Sequence, residues 1–138
     1  MKKFLLILTL ALFAGFAAKA QDEDNDKIRD KMREFIQKRL NLTRNEAERF
    51  TPVFIRYFRE WKQTLHENRA DGLVRQQKII ELRLRYRTEF RDIVGEKRSN
   101  DVYKQQDVFI REIKEMREEQ IKARRADRPT KGFRTLIQ

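Results

Sequence analysis

Residues 42–65 read LTRNEAERFTPVFIRYFREWKQTL. Their apolar members, Ala47, Phe50, Phe54, Tyr57, Phe58, Trp61 and Leu65, recur at steps of three and four, the period of one helical face. Thr43 followed by Glu46 forms a capping box: the hydroxyl accepts from the amide three residues on, and the carboxylate reaches back. Pro52 lies inside this pattern, where it removes one ladder hydrogen bond and crowds the carbonyl of Glu48. The apolar spacing continues across it, so the expectation is one helix over 44–69 with a kink at Pro52.

On the amino-terminal side, residues 21–26 are acidic, which suits the positive end of a helix dipole. Ile28, Met32, Phe35, Ile36 and Leu40 then share one face of a helix over about 25–40, and Asn41-Leu42-Thr43 interrupts it. On the other side, Asp71-Gly72 is the next break. Ile79, Leu82, Tyr86, Phe90 and Ile93 place a helix over 73–95, with Leu73, Ile80, Leu84 and Val94 widening its stripe. Residues 81–87 also alternate with period two, as a half-buried strand would. The helical face extends on both sides with no turn residues between, which favours the helix. Gly95 to Arg98 ends that helix, and Ser99 is the expected N-cap of a fourth helix over 100–126. There Val102, Gln106, Phe109, Ile113, Met116 and Gln120 form a near-heptad seam. The fold class is all-α: four antiparallel helices with a kinked second helix. The stripes are narrow, so the expected arrangement is an extended, cradle-like layer that dimerises to share a core.

Residues 1–20 read as an address. Lys2 and Lys3 precede an apolar run from Phe4 to Phe16, and Ala18-Lys19-Ala20 has the form a signal peptidase cuts. The run is short for a membrane span, and no Cys follows it to accept a lipid. The expected organisation is a cleaved signal peptide (1–20), a helical domain (21–126) and a flexible basic tail (127–138), with the mature protein in the periplasm. Removing Lys2, Lys3 and Lys19 takes the net charge from +11 to +8. A basic helical chain retained in the cytosol would point to nucleic acid; export takes that partner away.

Charged residues make up 40% of the chain, with 33 Lys+Arg against 22 Asp+Glu. With no Cys, disulfides, thiolate chemistry and Cys-based zinc or iron–sulfur sites are excluded. His66 is the single imidazole, and Glu67 beside it points to another helical face, so no metal set is expected. The acids fall in helical charge patterns. No Gly-rich phosphate loop and no strand-to-helix nucleophile elbow is present. The expectation is therefore no enzyme, no catalytic residues, no cofactor and no use of ATP.

Leu40-Asn41-Leu42-Thr43-Arg44-Asn45-Glu46-Ala47, with the Phe50-Thr51-Pro52-Val53-Phe54 run, resembles the Spy/CpxP family of exported α-helical stress proteins. That family carries a Leu-Thr-x-x-Gln motif. Leu42 and Thr43 match it, and Glu46 stands in place of Gln, an exchange that a capping box accepts. A second copy of the motif tends to open a later helix in the family. Ser99-Asn100-Asp101-Val102 sits in that place without the Leu-Thr pair. The similarity covers about residues 28–125. With Pro52 inside the motif helix, the chain looks like relatives described as sensors of ECF-type sigma factors. The resemblance implies an antiparallel dimer with a basic concave face, acting as an ATP-independent chaperone or as a regulator of envelope-stress signalling. Some members bind zinc, which a lone His66 does not support.

Two stretches then become candidates for holding a polypeptide. Arg56 and Arg59 interleave with Phe58 and Trp61, and Arg83, Arg87 and Arg91 interleave with further apolar residues. Guanidinium groups are weakly hydrated and stack on aromatic faces. Two arrangements fit the pattern: rings in the core under a solvated basic face, or ring edges exposed among the arginines as an adhesive surface. The expected function is an exported chaperone-like protein that binds partly unfolded or acidic polypeptides, steered by its positive charge. The alternative is a periplasmic sensor of an ECF sigma factor pathway with one signalling partner. The helices could lie on a membrane surface, but their polar faces carry many acids, which disfavours it. Export predicts a mature protein that begins at Gln21; amino-terminal sequencing of the protein from the envelope fraction reads this directly, and an intact Met1 there would exclude cleavage.

Overall fold

The computed structural model describes residues 23–128; the expected signal peptide (1–20), Gln21, Asp22 and the expected tail from 129 to 138 lie outside the described residues. Four helices carry the chain: α1 (residues 23–39), α2 (Arg44–Glu67), α3 (Gly72–Val94) and α4 (Glu96–Ala126). Consecutive helices run antiparallel, and no strand occurs among the described residues. The alternating stretch 81–87 is mid-helix in α3. Pro52 sits on the exposed side of α2, which continues through it, and Thr51 Oγ1 donates to the Ala47 carbonyl at 2.8 Å just before it.

The turns are short, and each has a local cause. Asn41 takes a left-handed φ of 51° between α1 and α2, a conformation Asn tolerates better than most residues. The Asp71 carboxylate accepts from the amides of Leu73 and Val74, at 3.1 and 3.2 Å, and so caps α3. Between α3 and α4 stands Gly95 alone. This corrects the expected four-residue break with Ser99 as N-cap. Gly95 adopts φ 87° and ψ 167°, a region open in practice only to glycine, so one residue reverses the chain. Ser99 is buried inside α4, and its hydroxyl donates to the Glu96 carbonyl at 2.6 Å.

The core is largely aromatic. Phe50, Phe54, Tyr57 and Phe58 of α2 meet Leu82, Tyr86 and Phe90 of α3 and Val102, Tyr103 and Phe109 of α4. Met32, Ile36 and Leu40 of α1 complete it. Phe50 and Phe90 lie 5.3 Å apart; Tyr57 meets Phe90 edge-on at 5.8 Å. Each such pair adds about 0.5–1.5 kcal/mol beyond the burial of its area. α1 bridges α2 and α4: Arg33 and Gln37 reach Thr51, while Phe35 packs on Phe109. One chain thus closes this core by itself. Two stripes are narrower than expected. Leu73, Ile80 and Leu84 of α3 face solvent, Leu73 with 80% of its surface exposed, and the α4 seam is buried only as far as Ile113.

A Cβ on residue 95 would meet nothing within 4 Å, so the cost of placing one there is in the backbone alone. Gly95→Ala is expected to lower stability by about 1–3 kcal/mol without altering contacts. Urea unfolding of the two proteins measures this, and equal midpoints would show that the turn tolerates a side chain.

Candidate interaction groove

The helices do not close equally along their length. Near Gly95 the bundle is filled by rings. Toward the α2–α3 connection the facing positions become Leu65, Gln76, Ile79 and Lys114, which leave a wedge between α3 and α4 above the end of α2. The result is an open groove of about 580 Å³. Trp61 and Leu65 of α2, Ile79 and Ile80 of α3 and Ile110 of α4 supply its apolar surface. Trp61 leans on Phe58 at 5.6 Å, so the groove floor is continuous with the core. Arg75, Arg83, Asp107 and Lys114 edge it.

The rim charges differ in status. Arg83 is spoken for: its Nη2 donates to Asp107 Oδ1 at 2.7 Å and to Gln106 Oε1 at 3.0 Å, and its guanidinium stands 5.3 Å over the Tyr103 ring. Gln106 Oε1 also accepts from the Tyr57 hydroxyl. Burial pushes that hydroxyl up to about 12, so Tyr57 stays a neutral donor across the ordinary pH range. Arg75 and Lys114, in contrast, form no ion pair among the described residues; Arg75 donates only to the Arg69 carbonyl.

The seven residues expected to form a polypeptide-binding face do not share one. Phe58 is buried in the core, a correction that follows from its place on the same helical face as Phe54 and Tyr57. Trp61 and Arg83 reach the groove. Arg56 lies on the α2–α3 seam, bound to Glu89 at 2.6 Å. Arg59 is exposed on α2. Arg87 and Arg91 border a separate small hollow of about 100 Å³ with Glu96, Ser99 and Asn100. Of the seven, only Trp61 and Arg83 bring a ring and a guanidinium to one surface. Leu65, Ile79 and Ile80 fall at core-stripe steps and Ile110 at none, so no local pattern marks the groove's aliphatic lining.

The motif residues have a structural task at the other end of the molecule. Leu42 packs against the core edge. Both arms of the capping box form: Glu46 N donates to Thr43 Oγ1 at 3.2 Å, and Thr43 N to Glu46 Oε1 at 3.1 Å. Arg98 of α4 closes on the same carboxylate through both terminal nitrogens, and its Nε donates to the Val94 carbonyl at 2.8 Å. Glu46 thus ties the start of α2 to the start of α4. Among the described residues no three His, Asp or Glu side chains gather as a metal ion would need, and no helix is long and apolar enough to cross a membrane.

No protein-family model, no curated protein and no solved structure matches the chain.

The Arg98 hydrogen bonds, then the Thr43 amide, hold the Glu46 carboxyl below its usual value of 4.5. A carboxyl lowered on folding stabilises the fold above its unfolded value, and the gain fades as pH falls through the folded one. The stability difference between the natural chain and Glu46→Gln should therefore be full near neutrality and shrink below pH 4.5. Paired urea titrations at several pH values measure it; a gap independent of pH would show that the Arg98 pair contributes nothing through charge.

Proposed function

We propose that this chain is an exported, ATP-independent, chaperone-like protein that holds partly unfolded, acidic polypeptides during envelope stress, with the wedge between α3 and α4 as its holding surface. The supporting observation is the open groove of about 580 Å³, apolar through Trp61, Leu65, Ile79, Ile80 and Ile110. Grooves of a few hundred Å³ with apolar walls and few polar groups are ordinary ligand sites. Arg75 and Lys114 at its edge, and the excess of Lys+Arg over Asp+Glu in the whole chain, attract carboxylates and speed encounter. Such holding needs no bond-making step, so it asks for no catalytic residue and no cofactor.

A second reading has its own support. The groove is one discrete cleft rather than a broad apolar sheet, which suits a single defined segment of a signalling partner, as in a sensor of an ECF sigma factor pathway. Residue-level chemistry is shared between the two readings: apolar anchors enter the wedge and acids meet its rim.

The test of holding is light scattering of an aggregating acidic client at low salt. Substoichiometric to equimolar chain should suppress scattering. Ile80 is 58% exposed, so Ile80→Asp leaves the core alone while putting a charge on the groove wall. It should weaken holding about tenfold, a cost of ~1.4 kcal/mol. Unchanged scattering in the presence of the natural chain would remove the chaperone reading, and a discrete crosslinked adduct in cells would favour the sensor.

A further inference from the structure

Arg83, Arg87 and Arg91 stand four residues apart along the row of α3 that borders α4. Of the three, Arg83 has a carboxylate across from it, Asp107 at 2.7 Å. The two helices are antiparallel. Two turns further along α3, at Arg91, the facing residue is therefore the one seven positions before Asp107, which is Asn100. α4 thus offers a neutral amide where the row would next meet an acid. Arg87 and Arg91 form no ion pair among the described residues. We propose that the hollow between these residues binds a small tetrahedral oxyanion of the phosphate class, which supplies the second anionic partner and ties the end of α3 to the start of α4.

The hollow measures about 100 Å³ and is lined by Arg87, Arg91, Glu96, Ser99 and Asn100. A water in the liquid takes up about 30 Å³, so the space suits one small ion rather than a polypeptide segment. Side chains one helical turn apart have Cβ atoms about 5–6 Å from each other, close enough for both guanidinium groups to meet on one anion. Their planar N–H forks match phosphate oxygens, and such charge-assisted hydrogen bonds are about twice as strong as neutral ones. The Asn100 amide adds a neutral donor. Ser99 is the buried floor; its hydroxyl already donates to the Glu96 carbonyl, so it has no proton left for a ligand.

Glu96 opposes an anion. Its carboxylate lies at the edge of the hollow without pairing to either arginine among the described residues. Two guanidinium charges against one carboxylate leave the hollow positive, and the uncapped start of α4 adds its dipole to the same field. Glu96 thereby sets how tightly the anion is held. The hollow shares no residue with the groove, so its occupancy is independent of client holding.

The test is titration of the protein with inorganic phosphate against chloride at matched ionic strength, followed by calorimetry and by the guanidinium nitrogen signals in NMR. The Arg87 and Arg91 signals should move and saturate, while that of Arg59, exposed on α2, stays in place. Arg87→Gln and Arg91→Gln should each weaken phosphate binding about tenfold. Glu96→Gln should tighten it about two- to fivefold, the worth of one exposed charge pair. All three positions are exposed, and circular dichroism checks that each variant keeps its helices. Vesicles of phosphatidylglycerol, compared with phosphatidylcholine, form the second arm. Saturating movement with free phosphate identifies the dissolved ion as the ligand, movement with the anionic vesicles alone identifies a lipid headgroup, and either supports the site. Signals of Arg87 and Arg91 that stay fixed in both arms would overturn it. So would a response shared equally by Arg59, or phosphate binding undiminished when Arg87→Gln and Arg91→Gln are combined.

Discussion

Tyr57 is the residue on which the packing of α2, α3 and α4 converges. Its ring contacts Tyr86 and Phe90 of α3 and Tyr103 of α4, at 5.4, 5.8 and 5.5 Å, and its hydroxyl donates to Gln106 of α4. Tyr103 answers it from α4: its ring meets Tyr57 and Phe90, and its hydroxyl donates to the Arg83 carbonyl at 2.7 Å. The polar atom matters as much as the ring. Gln106 is fully buried with its Nε2 unpartnered among the described residues, and leaving its oxygen unpartnered as well would cost roughly 1–3 kcal/mol more. Tyr57 and Arg83 both donate to its oxygen, so α4 must adopt the register that brings Gln106 opposite them. Apolar seams tolerate sliding by a turn. A buried amide with assigned donors does not, and this is the kind of register role a polar seam residue serves in coiled coils.

From that register the ends of the bundle follow. With α3 and α4 fixed side by side, the connection between them has one residue, and Gly95 supplies a backbone conformation closed to side-chain-bearing residues. The short turn brings Arg98 within reach of Glu46, so the carboxylate that caps α2 also anchors α4. Its two uses reinforce each other: the capping box holds the carboxylate in place, which lowers the entropy cost of the ion pair. Exposed pairs such as Arg44–Glu48 contribute little by comparison, since water competes for both partners.

How much of this was legible in the sequence depended on whether a local pattern was enough. The helical stripes of Phe50, Phe54 and Tyr57 and of Leu82, Tyr86 and Phe90 were readable because period and burial agree there. The Thr43–Glu46 box was readable because both partners lie within one turn. Ser99 misled for the same reason: a good N-cap residue near a break is a local signal, and the chain needed only Gly95 to turn. Phe58 reads as a surface anchor because arginines flank it at 56 and 59, yet it is buried in the aromatic core beside Phe54. The groove was invisible for a related reason. Ile80 falls at a helical step that widens a core stripe, yet it stands exposed on the groove wall. The Arg98–Glu46 pair spans 52 positions, and nothing in the local sequence announces it.

The same chain thus spends its large rings at one end and leaves the other unfinished, and the two facts are linked. A groove is a place where packing was not completed, so it forgoes the burial that would otherwise stabilise its walls, at about 25 cal/mol for each Å² left in water. A small helical chain tolerates that loss only if the rest of its core is dense and its register is enforced. The cluster around Tyr57 and the clamp at Glu46 meet both needs at the Gly95 end. The opposite end then keeps few residues fully buried. Surfaces that accept changing partners are drawn from such regions, because a wall that can shift admits more than one shape. The arrangement therefore separates two regions along one axis: a dense aromatic end that specifies the fold, and an aliphatic end, rimmed with positive charge, whose open groove is the surface proposed to hold a polypeptide.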